Sequence, residues 1–230
     1  MSRRPRLTLG IDEAGRGPAL GPMVLAAVAV DAAGARALRR LEVRDSKAYG
    51  STDAARAARA ALCPRIREVA GFTAIQVVEV EAVDRAVFGG NLNQLEREVA
   101  LALLDGAPPV ARVVCDGARV FGPLRARVPR LDAVDHGEAA HVAVAAASVL
   151  AKARRDELFA LIAARYEPEY GPLGGGGYCN AKTRAFLVAY ARRTGRLPPE
   201  ARQSWPHAYL AGLLDARPRE AAPGDQLRLL

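Results

Sequence analysis

Residues 7–30 of the chain read LTLGIDEAGRGPALGPMVLAAVAV. A short apolar stretch, residues 7–11, runs into a segment rich in glycine and proline, and a second apolar block follows from Met23 to Val30. Apolar blocks of this length that are bounded by Gly and Pro are typical of β-strands. We therefore expect two strands joined by a structured loop, with Asp12 and Glu13 where the first strand enters that loop.

The rest of the chain alternates between strand and helix patterns. Strands are expected at residues 72–80, 112–115 and 131–134, and helices at residues 32–41, 54–69, 92–104, 139–166 and 182–194. This alternation predicts an α/β fold whose layered sheet carries its reactive groups at strand ends. We expect one domain over residues 1–215, with a C-terminal helical part from about residue 157, and a flexible tail over residues 216–230. Pro198 and Pro199, and residues 218–224, are the expected linkers.

The composition favours a polyanionic partner. The net charge is +8 and the pI is about 9.9, although the arginines of alanine-rich stretches fit a solvated surface equally well. Cys63, Cys115 and Cys179 form no Cys-x-x-Cys pair, so neither zinc nor a disulfide framework is expected. The longest apolar run, Met23–Val30, is too short to cross a bilayer, and no apolar signal core follows the first charges. We expect a cytoplasmic protein without a membrane partner.

Acidic residues end two of the expected strands. Asp12 and Glu13 end the first, and Asp116 follows an apolar stretch in Val-Val-Cys-Asp-Gly, residues 113–117. Neighbouring side chains on a regular strand face opposite sides, so Asp12 and Glu13 can share a site only if the strand ends or bulges there. Carboxylates are the ligands that Mg²⁺ and Mn²⁺ prefer, and two such ions can promote phosphodiester cleavage. The alternative is that Asp12 caps the loop and Asp116 belongs to an ordinary turn.

Four motifs, in this order along the chain, resemble those of bacterial ribonuclease HII. They are Asp12-Glu13-Ala14-Gly15-Arg16-Gly17-Pro18 with Gly21-Pro22, then Asp45-Ser46-Lys47, then Asp116-Gly117, and last Ala146-Ala147-Ser148-Val149-Leu150-Ala151-Lys152 with Arg155-Asp156. The resemblance implies a ribonuclease H-like mixed five-stranded sheet flanked by helices, with a C-terminal helical segment. It also implies an endonuclease that hydrolyses the RNA strand of RNA/DNA hybrids and incises DNA 5′ of embedded ribonucleotides, leaving 5′-phosphate and 3′-hydroxyl ends by two-metal hydrolysis.

The resemblance further implies four acids that hold Mn²⁺ or Mg²⁺. Asp12, Glu13 and Asp116 match three of them, and Glu138 stands at the position of the fourth, which is an aspartate in the family. The extra methylene of glutamate moves the carboxylate by about 1 Å, and such a misplacement can cost roughly 10²-fold in rate. Asp132 and Asp135 are nearby substitutes, and Glu138 can alternatively be an acid at a helix N-terminus.

Substrate selection is also implied by the resemblance. Gly15, Arg16 and Gly17 match the loop that senses the ribose 2′-hydroxyl, and Tyr178 matches the tyrosine that stacks on the adjacent nucleotide. A core role is the alternative for Tyr178. The residues expected to face phosphates are Lys47, Ser148 and Lys152. The chain departs from the family beyond Tyr178, where Asn180 and Thr183 replace the usual Thr and His, and residues 201–205 read ARQSW.

The C-terminal residues Gln226-Leu227-Arg228-Leu229-Leu230 resemble a peptide that binds the DNA sliding clamp. A tail that folds back on its own domain is the alternative. We expect a monomer. Two other functions remain open: a hybrid-binding protein of the same fold with weakened catalysis, and a related metal nuclease that acts on branched DNA. The retained acids argue against the first, and the retained ribose sensor argues against the second.

Overall fold

The computed structural model describes residues 6–43, 49–50 and 52–214, apart from the side chains of residues 138 and 139. Its centre is a mixed sheet of five strands in the order β3-β2-β1-β4-β5. β2 is antiparallel to both β1 and β3, whereas β1, β4 and β5 run parallel. The strands are β1 (Thr8–Ala14), β2 (Met23–Val30), β3 (Phe72–Val78), β4 (Arg112–Asp116) and β5 (Leu131–Val134). This is the mixed five-stranded sheet expected from the sequence.

Helices cover both faces of the sheet. They are α1 (Ala32–Arg40), α2 (Asp53–Val69), α3 (Val80–Phe88), α4 (Leu92–Asp105), α5 (Ala118–Phe121), α6 (Gly137–Ala140), α7 (Val142–Tyr170) and α8 (Ala181–Thr194). One face of the sheet at β1 and β2 packs with α1, α2 and α7, and the other face packs with α3, α4 and α5. Every residue of β2 is buried, because helices cover it on both sides.

Helix α7 is the element that fixes the position of β1. Its Ala-rich first half, Val142–Ala151, is buried, and alanine is the strongest helix former. The imidazole Nδ1 of His141 accepts a hydrogen bond from the amide of Ala143 and caps the helix. Gly10 of β1 lies directly against this end, since a Cβ built there would stand 2.3 Å from the backbone of Ala143 and Val144. Glycine at this position allows strand and helix to touch.

The structure confirms the five strands and the five long helices expected from the sequence, with three differences. β1 continues to Ala14, because its pairing with β2 extends past both acids. The expected helix over residues 139–166 is two helices, α6 and α7, separated by the extended residue His141. Helix α3 was not predicted, because Val78 and Val80 alternate with Glu79 and Glu81 as in a strand.

The C-terminal part of the described chain packs on the loop that follows β1. α7 is continuous across residue 157, where the C-terminal helical part was expected to begin. The linker predicted at Pro198 and Pro199 is wrong: Pro198 is buried, and its carbonyl accepts a hydrogen bond from the amide of Ala201. Ala201 in turn forms a β-bridge with Leu20. The second expected linker, at residues 218–224, lies outside the described residues.

Within the described ranges, no helix is both long enough and apolar enough to cross a membrane. Cys63 and Cys115 are buried as free thiols, and Cys179 is partly buried and also free.

Candidate active site

Asp12 and Asp116 lie side by side at the ends of two parallel strands. Ile11 pairs with Cys115, so the next residue of each strand carries a carboxylate on the same face. Adjacent strands are about 4.8 Å apart. Asp12 lies on the α7 side of the sheet, like Gly10, and Glu13 lies on the side of α4.

β1 has no bulge at its two acids, because Asp12 and Glu13 both pair in regular register with β2. Its pairing with β4 ends at Ile11, and the edge beyond that point is open. Asp12 and Glu13 both line a cleft of about 400 Å³ at this edge. The strand thus neither ends nor bulges at the acids, which were the two possibilities that the sequence allowed. The acids share the cleft because β1 has lost its neighbour β4 beyond Ile11.

Burial, followed by crowded negative charge, raises the pKa of both β1 acids. The pKa of Asp12 lies well above its usual value, first because the residue is buried and then because Glu13 and Asp116 repel its charge. The pKa of Glu13 is raised by burial and by the carboxylates of Glu96 and Asp116. Ser148 opposes the shift by donating a hydrogen bond to Asp12. A cation in the cleft would relieve this repulsion.

Ser148 and Lys152 both face the cleft from α7. The Ser148 side chain is buried against Asp12 and orients that carboxylate. Lys152 forms an ion pair with Asp156, which also binds Arg59 of α2 at 2.8 Å. The ammonium of Lys152 is thus held at the wall of the cleft. This position agrees with the expected contact to a phosphate but does not test it.

The Gly15-Arg16-Gly17 loop forms another wall of the same cleft, together with Tyr178. Gly15 has φ = 88°, and a Cβ there would stand 2.7 Å from Nε of Arg155, so a side chain is excluded by conformation and by space. A Cβ on Gly17 would lie 3.2 Å from the ring of Tyr178. That ring is 55% exposed, which contradicts the alternative of a core tyrosine.

The guanidinium of Arg16 contacts two side chains of α4. It forms an ion pair with Glu96, and it donates a hydrogen bond to the side-chain oxygen of Asn93 at 2.7 Å. Glu96 is completely buried, and its second oxygen, Oε1, has no hydrogen-bond partner in the described part of the chain. Sequence reasoning missed Glu96 and Asn93, because both sit in an ordinary amphipathic helix pattern. From the sequence alone, a buried acid in such a helix cannot be distinguished from an exposed one, because the elements that pack against the helix are not known.

Two buried arginines hold the loop after β1 by its carbonyl groups, and Arg155 also lines the cleft. Arg155 of α7 donates to the carbonyl of Leu20, and Arg202 donates to the carbonyls of Gly15 and Arg16. Burial lowers the pKa of Arg155 to about 10 and that of Arg202 to about 9. Both values leave the side chains charged at neutral pH. Neither arginine had been assigned a role from the sequence.

The structure does not bring every predicted residue to the cleft. Asp132 pairs with Arg112 at the other end of β4, and Asp135 accepts a hydrogen bond from the amide of Ala118, so neither substitute for Glu138 joins the carboxylates. Glu138 lies in α6, directly after Gly137, whose amide donates to Asp116 at 2.8 Å. The Glu138 side chain, Lys47 and the C-terminal residues 226–230 lie outside the described part.

The donor set suits a hard divalent cation. Asp12, Glu13 and Asp116 offer only carboxylate oxygens, which Mg²⁺ and Mn²⁺ prefer, and their mutual repulsion favours a bound cation. In the part of the chain that the structure describes, no three His, Cys, Asp or Glu side chains are already arranged to hold a metal ion.

Comparison with known proteins gives a consistent result. Residues 9–208 match the family described as Ribonuclease HII. A ribonuclease HII from Pyrococcus furiosus is 35% identical over 205 residues, which cover 85% of this chain and 87% of that protein. The similar relatives are archaeal, so the bacterial qualifier of the predicted resemblance is not supported.

Solved structures share the fold. The ribonuclease H2 of Pyrococcus horikoshii OT3 superposes with a TM-score of 0.74 at 24% identity, covering 86% of this chain and 93% of that one. The ribonuclease HII in the PCNA complex from Archaeoglobus fulgidus gives 0.70 at 27% identity, with 87% and 95% covered. The Bst ribonuclease HIII in complex with Mn²⁺ gives 0.64 at 23% identity, with 83% and 63% covered.

Proposed function

The chain belongs to the ribonuclease HII family of ribonuclease H endonucleases, and we propose that it hydrolyses the RNA strand of RNA/DNA hybrids and incises DNA on the 5′ side of embedded ribonucleotides. The products would carry 5′-phosphate and 3′-hydroxyl ends. The observation that carries this proposal is one cleft of about 400 Å³ lined by the acids Asp12 and Glu13, by the Gly15-Arg16-Gly17 loop and by Tyr178. Groups suited to hydrolysis and groups suited to ribose recognition thus face the same space.

Asp12, Glu13, Asp116 and Glu138 are the residues that we propose hold Mn²⁺ or Mg²⁺. Two such ions can supply a nucleophile at neutral pH and stabilise the leaving oxygen of a phosphodiester. Asp12 and Asp116 contribute from adjacent strand ends, and Ser148 fixes the orientation of Asp12. The related ribonuclease HIII, whose structure contains Mn²⁺, supports this assignment by fold alone.

We assign recognition of the ribose to the Gly15-Arg16-Gly17 loop and to Tyr178. Without a Cβ at Gly15 and Gly17, the backbone amides of the loop can approach a sugar closely, and only a 2′-hydroxyl distinguishes RNA from DNA there. The exposed ring of Tyr178 can stack on a neighbouring base or sugar, a contact worth about 1–3 kcal/mol. Lys152, Ser148 and Lys47 are proposed to contact phosphates.

A second candidate is a hybrid-binding protein of the same fold with weakened catalysis. Glutamate in place of aspartate at residue 138 is the observation that favours it. A nuclease specific for branched DNA is less well supported, because it would not need the glycine loop and the exposed tyrosine that line the cleft.

Cleavage of a labelled DNA duplex with one ribonucleotide tests the proposal. The wild type should incise 5′ of the ribonucleotide with Mn²⁺ or Mg²⁺ and leave an all-DNA duplex intact. Asp12→Asn and Glu138→Gln should both lose this activity, and Glu138→Asp should retain or raise it. Asp132→Asn is the matched control, because Asp132 pairs with Arg112 away from the cleft. Tight binding without cleavage by the wild type would favour the second candidate instead.

We also propose that residues 226–230 bind a DNA sliding clamp. The supporting observations are the spaced leucines after Gln226 and the Archaeoglobus fulgidus neighbour, whose structure is that of a PCNA:RNase HII complex. Deleting residues 226–230 should abolish binding to a sliding clamp in a pull-down or calorimetric titration while cleavage of short duplexes stays unchanged. Equal clamp affinity of the shortened and complete chains would contradict the proposal.

A further inference from the structure

Arg202 lies behind the Gly15-Arg16-Gly17 loop, and it contacts the loop only through carbonyl groups. Its Nη2 donates to the carbonyl of Gly15, its Nη1 to that of Arg16 at 2.8 Å, and its Nε to that of Gly21 at 3.0 Å. The side chain is completely buried and does not line the cleft. All three nitrogens of the planar guanidinium are therefore used on one stretch of backbone.

The hydrogen bonds from Arg202 determine where the amides of the loop point. In a planar trans peptide, the N–H points opposite to the C=O of the preceding residue, and the described chain contains no cis peptide. The carbonyls of Gly15 and Arg16 point toward Arg202, so the N–H groups of Arg16 and Gly17 point away from it. Because Gly15, Arg16 and Gly17 line the cleft and Arg202 does not, the side away from Arg202 is the side nearer the cleft. Among the described residues, the amides of Arg16 and Gly17 donate no hydrogen bond to a backbone carbonyl in the turns, loops and helix caps.

Trp205 extends the same contact to the next peptide. Its indole Nε1 donates to the carbonyl of Gly17 at 2.9 Å, and its ring lies 4.9 Å from the guanidinium carbon of Arg202. The segment that carries both residues is anchored elsewhere, because Asp84 of α3 accepts hydrogen bonds from the amides of Gln203 and Ser204 and from the Ser204 hydroxyl. The loop is thus held by a segment that is itself attached to α3.

We propose that Arg202 is a positioning residue for ribose selection: it turns the N–H groups of Arg16 and Gly17 toward the cleft, where they meet the 2′-hydroxyl of the substrate. This inference rests on the proposed function and adds the group that sets the geometry of its ribose sensor. Arg202 itself does not touch the substrate. A lysine cannot replace it, because one ammonium cannot satisfy three carbonyls in a planar fork.

Binding, rather than cleavage, separates this role from the chemistry of the acids. We would measure dissociation constants by fluorescence anisotropy in Ca²⁺ buffer, with gels to confirm intact strands, for a duplex with one ribonucleotide and for the matching all-DNA duplex. Arg202→Lys should lower the preference for the ribonucleotide duplex about tenfold, because hydrogen bonds to the hydroxyl are lost. Affinity for the all-DNA duplex should change less than about twofold, because Arg202 is buried and contacts no phosphate.

Ser204→Ala is the matched control, since it weakens the anchor of the same segment without touching the loop. It should keep the full preference. If Arg202→Lys does not fold, Trp205→Phe provides the test: it keeps an aromatic ring beside Arg202, removes the hydrogen bond to Gly17, and should lower the preference several-fold. An unchanged preference in the folded Arg202 or Trp205 variant, or an equal loss in Ser204→Ala, would overturn the inference. A wild type that neither prefers nor cleaves the ribonucleotide duplex would overturn the proposed function as well.

Discussion

Replacing Asp12 by asparagine should make the metal-free protein more stable while it abolishes cleavage. Asp12 is only 7% exposed, and its pKa is raised first by burial and then by the charges of Glu13 and Asp116. The ionised side chain therefore opposes folding when no cation is bound. Asparagine keeps the shape and an oxygen that can accept from the amide of Glu13, which donates to Asp12 at 2.8 Å.

The magnitude follows from the strand geometry. Two charges about 5 Å apart, the spacing of adjacent strands, repel by roughly 3 kcal/mol at an effective dielectric constant of about 20. Asparagine accepts a weaker hydrogen bond from Ser148 than aspartate does, which offsets about 1 kcal/mol of this stabilisation. The net stabilisation is about 1–3 kcal/mol, which raises Tm by roughly 2–12 °C in a protein of this size.

The pH dependence has a defined sign. An acid whose folded pKa is raised binds its proton more tightly when folded, so it lowers stability as the pH rises from its unfolded pKa, about 3.9, through its folded pKa. The advantage of Asp12→Asn should therefore be largest at pH 8 and should vanish near pH 4. Thermal unfolding in EDTA at both values measures it.

Added Mn²⁺ should reverse the order of the two proteins. A ligand at 1,000 times its Kd stabilises the folded state by about 4.1 kcal/mol, which exceeds the expected advantage of the variant, and the wild type should gain this stabilisation while the variant gains far less. Asp132→Asn, at the opposite end of the sheet, should respond to Mn²⁺ like the wild type. The reasoning fails if Asp12→Asn melts at or below the wild type in EDTA at pH 8, or if it keeps the whole response to Mn²⁺.

Three further changes test other parts of the structure. Gly10→Ala should destabilise the fold by about 1–3 kcal/mol or more in urea unfolding, because its methyl group would overlap the backbone of α7, whereas the same change at Gly122, in open space, should cost little. Tyr178→Ala should weaken substrate binding by about 1–3 kcal/mol and leave Tm nearly unchanged, since the ring is 55% exposed; a large loss of Tm would contradict this. Glu96→Gln should lower the pKa of Glu13 and move the acid limb of the pH–rate profile to lower pH, and an unmoved limb would show that the two carboxylates do not interact.

The strands and the long helices could be predicted because their signals are local. Apolar blocks with period two or with helical spacing identified β1 to β5, and the acids at the ends of β1 and β4 followed from the same pattern. Helix α3 was missed because Val78 and Val80 alternate with Glu79 and Glu81, a pattern that extended the predicted strand to residue 80. The prolines at 198–199 gave a wrong linker, because proline marks a break in regular structure but not whether the broken chain is buried.

The contacts that support the site could not be predicted, because they join residues far apart in sequence. Arg16 meets Glu96 of α4, and Arg202 meets carbonyls almost the whole chain away. A lone acid in an amphipathic helix, or an arginine after two prolines, has no local pattern that separates it from an exposed charge. The motifs identified the groups that face the cleft, and the fold alone shows which groups hold them.

The buried arginines also change how the net charge should be interpreted. The value of +8 favoured a polyanionic partner, but Arg59, Arg155 and Arg202 are fully buried and present no charge to solvent. Arg59 is paired with Asp156, and the other two bind backbone carbonyls around the loop after β1. Buried guanidinium groups of this kind release no counterions from a nucleic acid, since they never reach its phosphates. Part of the arginine excess therefore builds the recognition loop, and attraction of the substrate depends on the remaining exposed cations.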